Sequence, residues 1–131
     1  MIRAVADTHT LVWALFDDPR LSRAARAAME VSPGDSIAIS AITLVELVYL
    51  CEKGRIGPEV LLRVLDKLHE PQASLVEVPV ERGIVEAMKD VPRSDVPDLP
   101  DRLIAATAVS LGVPVLSRDR KIRTSRVPTV W

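Results

Sequence analysis

A chain of 131 residues, 48% of them hydrophobic and 27% charged, is expected to fold as one compact domain over residues 1–131. A formal charge of −1 gives no overall attraction for nucleic acid, so any anion-binding surface must be a local patch, and 3% aromatics argue against a stacking platform for single strands. The single cysteine, Cys51, excludes a disulfide framework or a Cys-rich zinc site; no apolar run spans a membrane and no signal-peptide pattern is present, so a reducing cytoplasm is expected.

Ile2 to Ala6 is a short apolar run, the pattern of a strand buried on both faces, and it stops at Asp7. Thr8 to Phe16 reads as a helix broken by Asp17-Asp18-Pro19, and Ser22 to Val31 as an alanine-rich helix. Ser36 to Ile39 is a second buried strand, followed by a strongly apolar helix from Ser40 to Lys53 that Gly54 closes. Pro58 to His69 is an amphipathic helix with Leu61, Leu62, Leu65 and Leu68 as its stripe. Ser74 to Val78 is a third strand and Glu81 to Lys89 a short helix; the proline-bearing stretch from Asp90 to Pro100 is a loop. A helix opening near Asp98 runs to Gly112, Val113 to Ser117 is a fourth strand, Asp119 to Thr124 a basic turn, and Val127 to Val130 a small last strand. Strands that are nearly continuous apolar runs, alternating with helices, predict an α/β fold: a three-layer α/β/α sandwich with a mainly parallel central sheet.

In such a sheet the ligand crevice lies beyond the carboxyl ends of the strands, and four acids are expected there. Asp7 directly follows strand one, Asp119 follows strand four by two residues, and Asp101 opens the helix that leads into strand four. Glu46 belongs to the only polar stripe (Ser40, Thr43, Glu46) of a helix that is otherwise apolar almost all round. Asp101 shares a helix face with Ile104, Ala105, Ala108 and Leu111, so its charge should be carried by an inward-turning face. Each acid also has a plainer role open to it: Asp98 and Asp101 as a capping box, Asp7 and Asp119 as caps, Glu46 as the partner of a buried arginine. Several carboxylates at one edge repel one another without a cation, and an all-oxygen donor set suits Mg²⁺ or Mn²⁺. Neither His9 nor His69 has a partner at zinc-ligand spacing.

The combination Asp7-Thr8-His9, the stretch Ser40 to Leu47, the stretch Asp98 to Ala108 and Leu116-Ser117-Arg118-Asp119 resembles PIN-domain ribonucleases, and more narrowly the VapC-type toxins of bacterial toxin–antitoxin modules. The resemblance spans essentially the whole chain. It implies an acidic site at Asp7, Glu46, Asp101 and Asp119, with Ser40 at the small polar position before the second of those elements and Asp98 as an additional acid, ligand or cap. It implies Mg²⁺- or Mn²⁺-dependent endonucleolytic cleavage of RNA, a cognate antitoxin protein as partner, and a homodimer or a higher complex with that antitoxin. On that reading Asp7, Asp101 and Asp119 hold the ion, Glu46 holds hydration water or a second ion, and Ser40 and Ser117 orient the acids. Arg118, Arg120, Lys121, Arg123 and Arg126 form the densest basic stretch, and with Arg102 they are the candidate phosphate contacts. An aspartyl-phosphate enzyme would need a second aspartate where His9 stands, and a dinucleotide or P-loop site needs glycines after strand one that are absent. The alternative in a different class is a catalytically silent α/β module that binds RNA or protein and keeps the acids as a relic.

Overall fold

Each apolar run read as a strand joins one sheet. The computed structural model describes residues 1–131. In chain order the elements are β1 (Ile2–Ala6), α1 (Thr8–Leu15), α2 (Arg23–Met29), β2 (Ser36–Ser40), α3 (Ala41–Glu52), α4 (Pro58–His69), β3 (Leu75–Val78), α5 (Arg82–Ala87), α6 (Leu99–Leu111), β4 (Val115–Leu116), α7 (Arg120–Arg123) and β5 (Thr129–Val130), with a 3-10 turn at Met88–Asp90. The strand order is β3-β2-β1-β4-β5 and every neighbouring pair is parallel, with Val5 opposite Ala38 and Ala6 opposite Leu116.

Alternation along the strands divides the core into two layers. Val5, Ala38 and Val115 face a cluster built with Ile84 of α5, Ile104 of α6 and Ile122 of α7. Ala4, Ala6, Ile37, Ile39 and Leu116 face the opposite cluster, with Leu11 of α1, Leu47 of α3 and Val60 and Val64 of α4. Helices therefore cover both faces, which gives the α/β/α sandwich. No helix is long and apolar enough to cross a membrane.

Two features of the topology place the site. From β1 the chain moves to one side for β2 and β3, then crosses back to the other side for β4, so the carboxyl ends of β1 and β4 border a topological switch point. The turns at that edge are also helix N-termini whose free N–H groups need acceptors. Asp7 caps α1 through Thr10 N–H (2.9 Å), Asp98 caps α6 through Asp101 N–H (3.1 Å), and Asp119 caps α7 through Lys121 N–H (2.9 Å) and Ile122 N–H (3.1 Å). At the far end of α6, Gly112 takes the left-handed conformation (φ 68°) that stops the helix.

Three expectations need correction. The buried stripe of α4 is Val60 and Val64 flanked by Leu61 and Leu68, while Leu62 is 61% exposed; the valines, not the leucines, set the phase of the helix. Leu111 is exposed, because the last turn of α6 runs past the packed layer that buries Leu103 to Ala108. The basic turn after Asp119 is a single turn of helix, made so by the double cap from Asp119.

Candidate active site

Asp7, Glu46, Asp98, Asp101 and Asp119 all open onto one crevice of about 560 Å³ at the switch point. Asp7 is held tightly, since it is 6% exposed and both its oxygens are engaged: Oδ1 by Thr10 N–H and Oδ2 by the Ser117 hydroxyl at 2.5 Å. The same Ser117 Oγ accepts the N–H of Asp119 at 3.0 Å, so one fully buried hydroxyl ties the ends of β1 and β4 together. Glu46 receives a hydrogen bond from Thr8 Oγ1 at 2.6 Å. With the single Thr8 hydrogen committed to that carboxylate, Thr43, 3.1 Å away, is the donor to Thr8, giving a relay Thr43→Thr8→Glu46. The side chain of Asp101 has no hydrogen-bond partner in the protein, and none of the five acids enters an ion pair.

Two of these acids, Asp101 and Glu46, hold their protons more tightly in the partly dry crevice. Burial first, and then the charges of Asp98, Asp119, Glu46 and Asp7, push the Asp101 carboxyl up to about 7. Burial likewise raises Glu46, partly offset by the hydrogen bond from Thr8. The capping role and the inward placement of Asp101 coexist: its backbone N–H bonds to Asp98, while its carboxyl makes no return bond and only half of a capping box forms. No three His, Cys, Asp or Glu side chains already stand together at metal-coordination spacing.

The other expected site residues divide. Ser117 contacts an acid as expected; Ser40 does not, because its buried Oγ accepts the N–H of Ile42 at 3.2 Å and caps α3. Arg102 is turned away from the phosphate role: Nε donates to Val91 O (2.7 Å) and Nη2 to Met88 O (3.0 Å), satisfying carbonyls at the first residue of the 3-10 turn and just after its last. Of the basic stretch only Arg118 lines the crevice. Arg120, Lys121 and Arg123 are exposed on α7 outside it, and Arg126 pairs with Asp95 at 3.1 Å. The crevice also contains Thr8, His9, Trp13 and Arg20, which sequence reasoning left out of the site. Thr8 was detectable as a hydroxyl adjoining Asp7; Arg20, in the loop before α2, carried no local signal.

Comparison with known proteins decides the family. The PIN domain sequence pattern matches residues 4–127. This chain belongs to the PIN-domain family. Its PIN domain is 33% identical over 134 aligned residues to Ribonuclease VapC22 of Mycobacterium tuberculosis, covering all of both chains. VapBC2 from Rickettsia felis, crystallised bound to a DNA fragment from their promoter, has the same fold, with a TM-score of 0.71 at 19% identity over 98% of this chain and 97% of the other. A toxin–antitoxin complex from Klebsiella pneumoniae matches with a TM-score of 0.66 at 25% identity, over 98% and 96% of the two chains.

Proposed function

We propose that this PIN domain is a cytoplasmic, Mg²⁺- or Mn²⁺-dependent endoribonuclease and the toxin of a toxin–antitoxin pair. The observation that carries the reading is the gathering of five unpaired carboxylates at the switch point of a chain 33% identical, end to end, to a ribonuclease. Each of the five acids keeps at least one oxygen lone pair free of protein partners, Asp7 included, since each of its oxygens accepts a single bond, and this all-oxygen donor set fits a hard divalent cation in kind. Asp7, Asp101 and Asp119 would hold the ion, Glu46 would hold hydration water or a second ion, and Asp98, which caps α6, would be an additional acid. When bound, the ion supplies an activated water and charge neutralisation at the scissile phosphate. The protein's own share is positional. Ser117 and Thr10 fix the Asp7 carboxylate, Thr8 fixes Glu46, and Arg118 offers a cation at the rim; Arg120, Lys121 and Arg123 extend the positive track along α7. The toxin–antitoxin complex among the relatives supports an antitoxin protein as partner, and a second copy of this chain in a homodimer or larger assembly is the further partner of this reading. Phe16, Val45, Val48 and Tyr49 are exposed apolar side chains available to such contacts.

The deciding experiment incubates purified chain with single-stranded RNA. Cleavage in Mg²⁺ or Mn²⁺ that stops in excess chelator is expected, and cleavage that continues in chelator would overturn metal dependence. The silent-module alternative draws on the lack of three acids at coordination spacing; RNA bound but left intact in either metal would decide for it. A second result concerns Ser117→Ala, which strips Asp7 of a donor and Asp119 N–H of its acceptor. Titration calorimetry should show Mn²⁺ affinity reduced about 10- to 100-fold, with the fold destabilised by about 1–3 kcal/mol. An unchanged affinity would mean Asp7 is not a ligand.

A further inference from the structure

Two cations border the acid crevice from distant parts of the chain, and both rest on one indole. The guanidinium carbon of Arg20 lies 4.9 Å from the Trp13 ring centroid and that of Arg118 lies 5.8 Å from it. Trp13 is itself nearly buried and braced by Trp131 (5.8 Å between ring centroids) and His9 (5.7 Å). Arg20 is held more firmly than Arg118. Asp18 accepts from Nε at 3.0 Å, from Nη2 at 2.8 Å and from the backbone N–H at 2.9 Å, while Nη1 has no protein partner. An exposed ion pair of this kind adds little stability, and fixing a long side chain has an entropic cost. What the arrangement provides is a pre-oriented guanidinium with a free edge, the geometry that binds a phosphate without further ordering.

The carboxylates opposite would repel a polyanion, so a strand can settle in the crevice only if its phosphates meet cations there. Arg20 and Arg118 are the two that line it. We infer that Arg20, seated on Trp13 and held by Asp18, grips an RNA phosphate flanking the one at the carboxylates, with Arg118 as the second contact. This deepens the reading of the crevice as an RNA-cleaving site and rests on it. Arg20 is a positioning residue for substrate, drawn from a loop that the basic stretch near the C-terminus does not include.

The test measures binding of a labelled single-stranded RNA oligonucleotide by fluorescence anisotropy over a range of salt, in an Asp101→Asn background to suppress cleavage. Arg20→Ala should weaken binding several-fold and flatten the slope of log K against log salt by about 0.7, the value of one single-strand phosphate contact. Arg20→Lys should recover most of the slope, and Arg55→Ala, a surface arginine away from the crevice, should leave it alone. Asp18→Asn should keep the slope, whereas the Asp18→Asn/Arg20→Ala double variant should behave like Arg20→Ala. Cleavage by the otherwise wild-type chain in Mg²⁺ is measured separately, where Arg20→Ala should raise KM and leave kcat nearly unchanged. A salt slope unaffected by Arg20→Ala overturns the inference. So does an equal flattening of the slope by Asp18→Asn, which would make Arg20 a mere brace of its loop, and so does a wild-type chain that binds no RNA. Binding that depends on Arg20 without any cleavage supports the grip and refutes the nuclease reading alone.

Discussion

Asp101→Asn should lower RNA cleavage by about 10²- to 10³-fold, the scale of removing one preorganised charge contact from a reacting centre, and should do so without unfolding the protein. The fold is expected to survive because the structural bond at this position is made by the backbone N–H of residue 101 to Asp98, which asparagine retains. The lost group is the carboxyl with no protein partner, facing four other acids. Asp98→Asn is the informative companion. Asparagine caps a helix as well as aspartate does, so α6 stays intact, and a cap-only Asp98 predicts cleavage within a few-fold of wild type. Losses of equal size at both positions would place Asp98 in the ligand set. The same pair can be read in vivo: the wild-type chain expressed alone should arrest bacterial growth and Asp101→Asn should not. Equal arrest at equal protein level would show that the carboxylate site is not the cause.

The sheet was legible because both faces of a parallel strand are buried, so Ile2–Ala6 and Ser36–Ser40 appear as apolar runs, and Asp7, which ends the first, stands out. Asp7, Asp101, Glu46 and Asp119 could be placed at one edge for the same reason: strand ends and helix starts in this topology coincide in space. What could not be read depended on contacts between distant residues. Ser40 and Ser117 look alike in sequence, each closing a strand, yet one meets only its own helix and the other bridges two strands. Arg102 adjoins Asp101 but projects from the helix towards carbonyls at residues 88 and 91. Trp13 carries Arg20 and Arg118 at the crevice without any local pattern to mark it; sparse aromatics argued against any stacking surface and did not reveal that two tryptophans and His9 would meet.

Metal-free protein should lose stability between pH 5 and pH 7.5, and Mn²⁺ should restore it. A carboxyl whose folded pKa lies above its unfolded value of about 4 binds its proton more tightly in the native state, so its favourable contribution is complete below pH 4 and is lost as pH rises through the folded value. Asp101, raised to about 7, sets that window, and Glu46 acts in the same direction. Asp18 and Asp35 are shifted the opposite way by Arg20 and Arg3; their contributions are lost only as pH falls below about 4, and they add no slope between 5 and 7.5. Allowing for the partial exposure of Asp101, the expected loss is about 1–2 kcal/mol, a fall of several degrees in Tm. An ion that binds only the folded state adds about 2.7 kcal/mol at a hundredfold excess over its Kd, enough to exceed the deficit. Asp101→Asn should therefore melt higher than wild type in chelator at pH 7.5, show a flatter pH profile, and gain little from Mn²⁺. If Asp101 serves only its helix, the variant should instead melt slightly lower and keep the full response to Mn²⁺. Four melting curves at pH 7.5, two proteins each with chelator and with Mn²⁺, separate the two outcomes by sign.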